Sequence, residues 1–490
     1  NDATQRARVI DGLADNVPMR SIEKVGIIGA GTMGGGIAMN FATAGIEVVI
    51  VETKEDALTR GLGVVRGNYQ RSADRGRFPQ DEVDARMARI SGVLEMEKLA
   101  DCDLVIEAVF EDFDIKKAVF STLDEVCNEH TILASNTSSL SVNELAKATG
   151  RPDRFVGLHF FFHPAKNRLI EIIPADTTSP ESLVAVEQYC KTMGKVVIVC
   201  KDRPGFVVNR FFVPWLNEAC LLLEEGIASA AAIDNVAKKA FRIGMGPFAL
   251  MNLTGPPIAL HSTDYLAEQL DCPRYTGAAN LRAMVEAGEM WEIGDDIECG
   301  EEAAIIISER LLGQTFAVSA QIVNEEICSI EDVDRGAKVG LRWAKGPFEI
   351  ANKIGIDEAV RMANSYANSA GFQLPEWFAN CTEPLDFSYV DTEINGKVAT
   401  IKINRPEAMN ALNETVVSQL GSALDSINSL DEISTIVLDG AGKAFVAGAD
   451  VKFFVDKIRA DSIQDIYDFT AHGHEVLAKL ENSDKTTIAL

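Results

Sequence analysis

A histidine and a glutamate in the first half of the chain have the types and spacing for proton transfer. His159 lies in the apolar run FVGLHF, and Glu171 comes twelve positions later in a second apolar run, LIEIIP. An imidazole titrates near neutral pH and can accept a proton from a substrate, while a neighbouring carboxylate can orient the ring and stabilise its protonated form. A buried histidine bonded to a glutamate is nevertheless more often part of a core than of a catalytic site. The elements around the pair must distinguish these two interpretations.

A glycine-rich turn near the start predicts a nucleotide site. An apolar strand ending at Ile28 is followed by Gly29, Gly31 and Gly34 in G-x-G-x-x-G spacing and then by a helical pattern. The first glycine permits a tight turn, the second lets the backbone approach a pyrophosphate, and the third allows close packing of helix and strand. Glu52 ends the next strand, 21 positions after Gly31, where a carboxylate accepts both ribose hydroxyls and repels a 2′-phosphate. These features favour an NAD-binding unit over an FAD-binding unit or a non-nucleotide unit that shares only the glycine turn.

Further apolar runs predict strands at 103–109, 131–135, 155–161, 169–173 and 195–200, mostly separated by helical stretches. Such alternation predicts a doubly wound α/β sheet. The polar run SNTSSL follows the carboxyl end of one strand, where open α/β sheets bind their ligands. One polar residue would suffice to cap the following helix, so the longer run favours a ligand site.

The composition narrows the class of protein. The chain of 490 residues predicts two to four domains, and its net charge of −27 argues against non-specific nucleic-acid binding, which needs a basic surface. The nine cysteines lack CxxC pairing, so we interpret them as reduced thiols of a cytoplasmic protein without a disulfide framework or metal site. No stretch approaches about 18 uncharged apolar residues, so we expect no membrane span.

Five motifs resemble those of L-3-hydroxyacyl-CoA dehydrogenases in order and spacing, over about residues 22–365. They are GIIGAGTMGGGIA, VIEAVFEDFDIKKAVF, ASNTSSL, GLHFF with its later glutamate, and DRPGFVVNR. The resemblance implies a Rossmann-type domain that binds NAD and an acyl-CoA substrate. It also implies that His159 removes the proton of the 3-hydroxyl group, that Glu171 orients the imidazole, and that Ser138 and Asn209 hold the substrate oxygen. The residues that it assigns to the cofactor are Gly29, Gly31, Thr32, Met33, Gly34, Glu52, Glu111, Lys116 and Asn136.

One stretch departs from the family pattern. Where the family commonly has Asn-Pro after HFF, this chain has Phe162 and His163, although the spacing from His159 to Glu171 is preserved. We interpret His163 as structural rather than catalytic. We expect the substrate pocket to differ from that of the common enzymes at this point.

A cluster of five arginines at 60–77 stands out in this acidic chain. Arg66 and Arg71 are candidates to bind the CoA phosphates from a helical excursion of the sheet. A solvated helix face explains the same cluster equally well, and the sequence leaves both interpretations open.

The chain after DRPGFVVNR is predicted to be helical and duplicated, because several residues recur one hundred positions later. The recurring positions are Arg210/Arg310, Asp234/Asp334, Lys238/Lys338, Arg242/Arg342, Asn252/Asn352, Gly255/Gly355 and the GPF runs at 246–248 and 346–348. The second copy has Glu309 where the first has Asn209, which predicts a structural partner rather than a second active site. By the resemblance, the two copies make within one chain the contact that single-copy relatives make by forming dimers.

The last hundred residues resemble the start of the enoyl-CoA hydratase (crotonase) family, in the runs VATIKINRPEAMNALN and GAGKAFVAGADVKFF. The resemblance implies that the backbone N–H of Ala447 is one donor of an oxyanion hole. The family's second donor and its two catalytic glutamates are not among these 490 residues, so we expect the native chain to continue and hydration to need a longer chain. The order of domains resembles archaeal-type fusions of crotonyl-CoA hydratase with 3-hydroxybutyryl-CoA dehydrogenase, and a further homo-oligomer through the crotonase domain is expected.

The leading hypothesis is an NAD-dependent (S)-3-hydroxyacyl-CoA dehydrogenase for short acyl chains. One alternative is a β-hydroxyacid dehydrogenase with a lysine base, against which the pair of His159 and Glu171 and the run SNTSSL argue. Another is a structural NAD-binding protein without activity, against which the intact His, Glu, Ser and Asn set argues. The predicted domains are 1–202 for NAD binding, 203–300 and 301–370 for the helical copies, 371–388 for a linker, and 389–490 for an incomplete crotonase domain.

Overall fold

The computed structural model describes residues 21–294 and 297–490. The first twenty residues of the predicted NAD-binding domain, and residues 295–296 of the predicted first helical copy, lie outside the described residues. The described chain forms two compact units. The larger comprises Ser21–Leu183 and Val197–Leu385, and the smaller comprises Asp386–Leu490 together with Val184–Val196.

An eight-stranded sheet carries the glycine-rich turn and the histidine–glutamate pair. Its strands are β1 (Lys24–Ile28), β2 (Glu47–Val51), β3 (Ile90–Val93), β4 (Leu104–Glu107), β5 (Ile132–Ser135), β6 (Phe155–Phe160), β7 (Leu169–Pro174) and β8 (Val196–Val199), in the order β3-β2-β1-β4-β5-β6-β7-β8. The first six strands pair in parallel in the order of a Rossmann-type sheet. The predicted doubly wound α/β fold is therefore confirmed.

Helices connect most of these strands, as the helical stretches of the sequence predict. They span Thr32–Thr43, Glu55–Asp74, Gln80–Met87, Phe113–Val126, Val142–Ala146 and Pro180–Thr192, with 3₁₀ turns at Met96–Leu99 and Pro152–Arg154. The excursion Glu55–Met87 between β2 and β3 contains the arginine cluster.

The strand β7 runs antiparallel to β6, unlike the strands before it. The connection 161–168 is eight residues long, which is too short for the crossover that a parallel pair needs. The resulting hairpin sets His159 directly opposite Glu171 in the register of the two strands. Strand pairing thus brings together two residues that are twelve positions apart in sequence.

The rest of the larger unit is helical. The first copy contains helices Val208–Glu224, Ala230–Phe241, Pro247–Thr254, Pro256–Gln269 and Ala279–Ala287. The second contains Glu301–Asn324, Ile330–Arg335, a π-helical turn Gly336–Gly340, Pro347–Ile354 and Ile356–Ala370. The repeat is visible in side-chain contacts as well as in sequence. Asp234 accepts the backbone N–H groups of residues 248 and 249, and Asp334 accepts those of 348 and 349, all at 2.8–2.9 Å.

Ion pairs between the two copies are reciprocal. Arg210 donates to Glu325 at 2.6 Å, and Arg310, one hundred positions later, donates to Glu225 at 3.0 Å. The Arg310 guanidinium also donates at 2.6 Å to Glu218, which is almost completely buried. Each copy therefore supplies the same arginine and the same glutamate to the contact with the other.

Much of the segment 371–388, predicted as a linker, is packed. It includes the short helix Glu376–Ala379, in which Phe378 is fully buried. Asn352 exchanges two hydrogen bonds with the backbone of Leu385, both of 2.8 Å. The domain boundaries drawn from the sequence remain predictions.

The smaller unit has a four-stranded sheet of β9 (Val390–Asn395), β10 (Val398–Ile403), β11 (Thr435–Gly440) and β12 (Thr486–Ala489), in the order β12-β11-β10-β9. Helices Glu414–Asn428, Val451–Arg459 and Ile463–Glu481 accompany it. Its core contains Ile401, Leu424 and Ile436, all of them fully buried. The predicted first part of a crotonase-type α/β domain is confirmed.

Neither a membrane-spanning helix nor a metal-binding cluster is present among the described residues. Within 21–294 and 297–490, no helix combines the length and the hydropathy needed to cross a lipid bilayer. In the same part of the chain, no group of three or more His, Cys, Asp or Glu side chains could hold a metal ion.

Candidate active site

His159 and Glu171 are hydrogen-bonded to each other. Nδ1 of His159 lies 2.6 Å from Oε2 of Glu171, and the His159 side chain is 7% exposed while that of Glu171 is fully buried. Because the carboxylate accepts, Nδ1 is the donor of this bond, and Nε2 of the neutral ring is the nitrogen that can accept a proton. Phe161 and Phe206 flank the ring, with ring centroids 4.5 and 5.8 Å away.

The second oxygen of Glu171 is bound by backbone amides. Oε1 accepts the N–H groups of Val207 at 3.2 Å and Val208 at 2.8 Å, at the start of the helix Val208–Glu224. Both amides lie at the N-terminal end of that helix, where backbone N–H groups have no partner within the helix. Glu171 is therefore fixed at both oxygens and can orient and charge-balance the imidazole without moving.

Ser138 and Asn209 lie in contact, although they are far apart in sequence. The Nδ2 group of Asn209 is 3.5 Å from the carbonyl oxygen of Ser138, and Asn209 follows the residue whose amide binds Glu171. A side-chain hydrogen bond links the two parts of the site further, because Oδ1 of Asn136 accepts the N–H of Phe160 at 2.9 Å, next to His159. The described structure thus brings Ser138 and Asn209 together and connects their loop to the histidine strand.

Glu111 holds the polar SNTSSL loop. Its Oε1 accepts from the hydroxyl of Thr137 at 2.5 Å, the N–H of Ser138 at 2.9 Å, and the N–H and hydroxyl of Ser139 at 3.2 and 3.1 Å. Burial alone would raise the pKa of Glu111, but the Lys116 charge and these hydrogen bonds together lower it below its usual range. The loop is therefore organised around an ionised carboxylate.

Lys116 is buried between two carboxylates. Its Nζ lies 2.6 Å from Glu107 and 3.2 Å from Glu111, and the side chains of Lys116 and Glu107 are 1% and 0% exposed. Glu107 also accepts from Ser135 and from the N–H of Val109, each at 2.7 Å. Glu107 was not predicted from the sequence as part of the site, although a charged residue at the end of the apolar run LVIE was an available signal. The predicted cofactor contact of Lys116 stays a prediction, and its observed contacts are with protein carboxylates.

The glycine loop fits a dinucleotide. Gly29 has a φ of +102°, and a Cβ at Gly34 would lie 1.9 Å from the Gly29 carbonyl oxygen, so these two positions require glycine. A Cβ at Gly31 would meet nothing within 4 Å, which leaves its backbone open to a ligand. Within the described part of the chain, no side chain caps the helix that begins at Thr32, so its first N–H groups are available to phosphate oxygens.

Glu52 lies beside this loop, as its position in sequence predicts. Its Oε2 accepts the N–H of Ala30 at 3.1 Å, and its Oε1 accepts the N–H of Thr53 at 2.7 Å. Burial opposes ionisation, but these hydrogen bonds lower the pKa of Glu52 below its usual range. An ionised acceptor at this point fits ribose hydroxyls. The contacts of Thr32, Met33 and Asn136 with NAD remain predictions.

The two candidate CoA arginines lie on the helix Glu55–Asp74 and already have protein partners. Arg66 pairs with Asp84 at 3.0 Å, with both side chains more than half exposed, and Arg71 donates to Asn68. His163 is half-buried, and burial, followed by the charges of Lys166 and Arg71, lowers its pKa. A phosphate would thus have to compete with Asp84 for Arg66.

Replacing both Arg66 and Arg71 by alanine is expected to raise the KM for an acyl-CoA about fivefold, at roughly 0.5 kcal/mol for each exposed charge contact. The KM for NADH should stay unchanged, because the glycine loop is untouched. The matched control is Arg75→Ala with Arg77→Ala, from the same cluster. An unchanged KM for acyl-CoA, or an equal rise in the control, would favour the solvated-face interpretation.

In the smaller unit, the predicted oxyanion donor is engaged by the protein. The N–H of Ala447 donates to the carbonyl oxygen of Met409 at 3.1 Å. Arg405 and Asp450 form an ion pair of 2.8 Å in the same unit. A thioester oxygen would have to replace the Met409 carbonyl at Ala447, so the oxyanion role stays a prediction.

Three family models match the chain. Residues 24–203 match the NAD-binding domain of 3-hydroxyacyl-CoA dehydrogenase, 205–294 and 306–388 both match the C-terminal domain of that enzyme, and 398–490 match enoyl-CoA hydratase/isomerase. The second of these models matches twice, as expected for a duplicated helical domain.

Relatives agree with these matches. The chain is 37% identical to a 3-hydroxybutyryl-CoA dehydrogenase of Clostridioides difficile over 54% of its own length and 95% of that protein. It is 30% identical to a fatty acid oxidation complex subunit alpha of Shewanella amazonensis over 75% of its own length and 56% of that protein. The crystal structure of (S)-3-hydroxybutyryl-CoA dehydrogenase from Ralstonia eutropha matches with a TM-score of 0.54 at 37% identity, covering 57% of this chain and all of that one. The chain therefore belongs to the 3-hydroxyacyl-CoA dehydrogenase family, as an NAD-binding enzyme that also carries a segment of the enoyl-CoA hydratase/isomerase family.

Proposed function

We propose that this enzyme oxidises short-chain (S)-3-hydroxyacyl-CoA, such as 3-hydroxybutyryl-CoA, to the 3-ketoacyl-CoA, with His159 as the base. The observation that carries the proposal is the buried hydrogen bond of 2.6 Å between His159 and Glu171, whose second oxygen is held by two amides. A carboxylate held at both oxygens supports this role, because the orienting partner of a catalytic base must keep the imidazole in one position.

In the proposed mechanism, Nε2 of His159 takes the proton of the 3-hydroxyl group. Bound NAD⁺ would supply the acceptor for the hydride that leaves C3 of the substrate. The charge of the imidazolium that forms is balanced by Glu171. Without this carboxylate, a positive charge would be uncompensated in a nearly dry pocket. Ser138 and Asn209, which contact each other, are proposed to hold the substrate oxygen in line with Nε2.

The proposed cofactor site consists of the loop Gly29–Gly34 and Glu52. The open backbone at Gly31 and the uncapped helix start support pyrophosphate binding, and the ionised Glu52 supports ribose binding. A carboxylate at this position disfavours a 2′-phosphate, which supports NAD over NADP.

The short acyl chain is supported by the relatives. The matched proteins of Clostridioides difficile and Ralstonia eutropha are both named 3-hydroxybutyryl-CoA dehydrogenases, and each is 37% identical to this chain. We extend this substrate to the present enzyme as part of the proposal.

Two further parts of the proposal concern the other domains. The reciprocal pairs of Arg210 with Glu325 and of Arg310 with Glu225 support a pseudo-dimer of the helical copies within one chain. The crotonase-type segment supports a hydratase activity of the full-length protein, in which the N–H of Ala447 polarises the thioester. Hydration of an enoyl-CoA would supply the (S)-3-hydroxyacyl-CoA that the dehydrogenase consumes.

The test is the reverse reaction, followed as NADH absorbance with acetoacetyl-CoA. We expect rapid oxidation of NADH with acetoacetyl-CoA, slower oxidation with long-chain 3-ketoacyl-CoA, and little oxidation of NADPH. Activity on 3-hydroxyisobutyrate with none on the CoA ester would support the lysine-base alternative instead. Binding of NADH without turnover of any of these substrates would support a structural protein.

A further inference from the structure

One short segment of the second helical copy has a different helix type from its equivalent in the first copy. In the first copy, residues 236–240 belong to the regular α-helix Ala230–Phe241, whereas the equivalent residues Gly336–Gly340 form a π-helical turn. Two glycines of this turn stand where the first copy has Val236 and Ala240. π-helical turns inside helices are often associated with functional sites. The second copy has therefore acquired a local geometry that its repeat partner lacks.

The turn packs against both elements that hold Glu171. A Cβ built on Gly336 would lie 2.7 Å from Cγ2 of Val208, the residue whose N–H binds Glu171 at 2.8 Å. A Cβ on Gly340 would lie 2.7 Å from Cδ2 of Leu169, the first residue of the strand that carries Glu171. Close approach on both sides explains why the turn contains glycine at both positions.

A buried asparagine ties the same turn to the hairpin. Asn167 is 7% exposed, and its Nδ2 group donates to the carbonyl oxygens of Gly340 at 2.9 Å and Phe162 at 3.3 Å. Its Oδ1 accepts the N–H of Leu169 at 3.1 Å. One side chain thus closes the loop between the strands of His159 and Glu171 and fastens that loop to the second helical copy.

We infer that the second helical copy is a positioning element of the active site, acting through the turn Gly336–Gly340. The turn holds the strand of Glu171 from one side and its amide donors from the other, so it sets where the carboxylate meets the imidazole. The copy that carries Glu309 in place of Asn209 has thereby kept a part in the dehydrogenase reaction. This inference rests on the proposed function of His159 and Glu171.

The test is Gly336→Ala, assayed with acetoacetyl-CoA and NADH at a temperature well below unfolding. Gly336 has helical φ and ψ of −56° and −48°, so alanine is free of backbone strain and only the contact of its Cβ with Val208 matters. We expect kcat to fall about tenfold, because small displacements of catalytic groups are costly, while the KM for NADH stays unchanged. The matched control is Gly244→Ala, which has open space around its Cβ and introduces the residue that the second copy has at 344.

A double-mutant cycle separates positioning from general loss of stability. In a Val208→Ala background, which removes Cγ2 but keeps the N–H, adding Gly336→Ala should no longer lower kcat. If Gly336→Ala does not fold, Asn167→Ala is expected to lower kcat with an unchanged KM for NADH.

The inference is overturned if Gly336→Ala leaves kcat unchanged, or if it still lowers kcat in the Val208→Ala background. If Gly336→Ala does not fold, an unchanged kcat in Asn167→Ala overturns the inference. Failure of the proposed function gives a different result, because the wild-type enzyme itself would then not oxidise NADH with acetoacetyl-CoA.

Discussion

Replacing His159 by alanine is expected to lower kcat for acetoacetyl-CoA reduction by about 10²–10⁴-fold, the range for loss of a positioned general acid or base. In this direction the imidazolium donates the proton that becomes the 3-hydroxyl, and no other described side chain has the same contact with Glu171. The KM for NADH should change little, since the glycine loop and Glu52 are untouched. Steady-state kinetics with each substrate varied in turn would measure both quantities.

The chain offers a matched control in His163, four positions later in the same hairpin. His163 is half-buried, and its Nδ1 has no hydrogen-bond partner among residues 21–294 and 297–490, in contrast to the fixed Nδ1 of His159. His163→Ala is expected to keep kcat within a few-fold of the wild type. If His163→Ala lowers kcat as much as His159→Ala does, the catalytic base is not specific to His159. If His159→Ala leaves kcat unchanged, the proposed mechanism is contradicted.

The parts of the site that rest on side-chain type and spacing could be predicted from the sequence. Gly29 and Gly34 have the positive φ and the close approach that their spacing implies, and Glu52 reaches the loop as a carboxylate ending the second strand should. The pairing of His159 with Glu171 follows from two short apolar runs joined by eight residues, which leaves an antiparallel hairpin as the practical connection. The roles of these residues needed the family resemblance, because spacing alone also fits a core pair.

The parts that depend on the backbone or on long-range packing could not be predicted. The amides of Val207 and Val208 that hold Glu171 have no signature in side-chain type. The one-hundred-residue repeat predicts that the two helical copies have the same structure. At Gly336–Gly340 this prediction is wrong, because the second copy has a π-helical turn where the first has a regular α-helix. The exchange of Val236 and Ala240 for glycine was the available signal, and its meaning depends on contacts with Val208 and Leu169 that only the fold creates.

Replacing Lys116 by methionine is expected to lower the free energy of unfolding of the larger unit by about 3–5 kcal/mol, the usual cost of removing one member of a buried ion pair. Methionine keeps an unbranched apolar side chain, shorter by the ammonium group, but leaves the carboxylate of Glu107 fully buried without its cation. Glu111 would lose the charge that lowers its pKa, which would loosen the loop of Ser138 and Ser139. Urea unfolding followed by tryptophan fluorescence would measure the change, because all four tryptophans lie in residues 197–385 of that unit.

Two variants decide whether burial or ion pairing itself causes this loss. Lys147 pairs with Glu144 at 2.6 Å on the surface, where both side chains are more than half exposed, so Lys147→Met should cost less than about 1 kcal/mol. Adding Glu107→Gln to Lys116→Met should recover much of the stability, because a neutral amide can keep the bonds to Ser135 or Val109 without an unpaired buried charge. Equal small losses at Lys116 and Lys147 would instead mean that water reaches Glu107 in solution. In that case the Lys116 ammonium would be able to contact the cofactor, as the family resemblance implies.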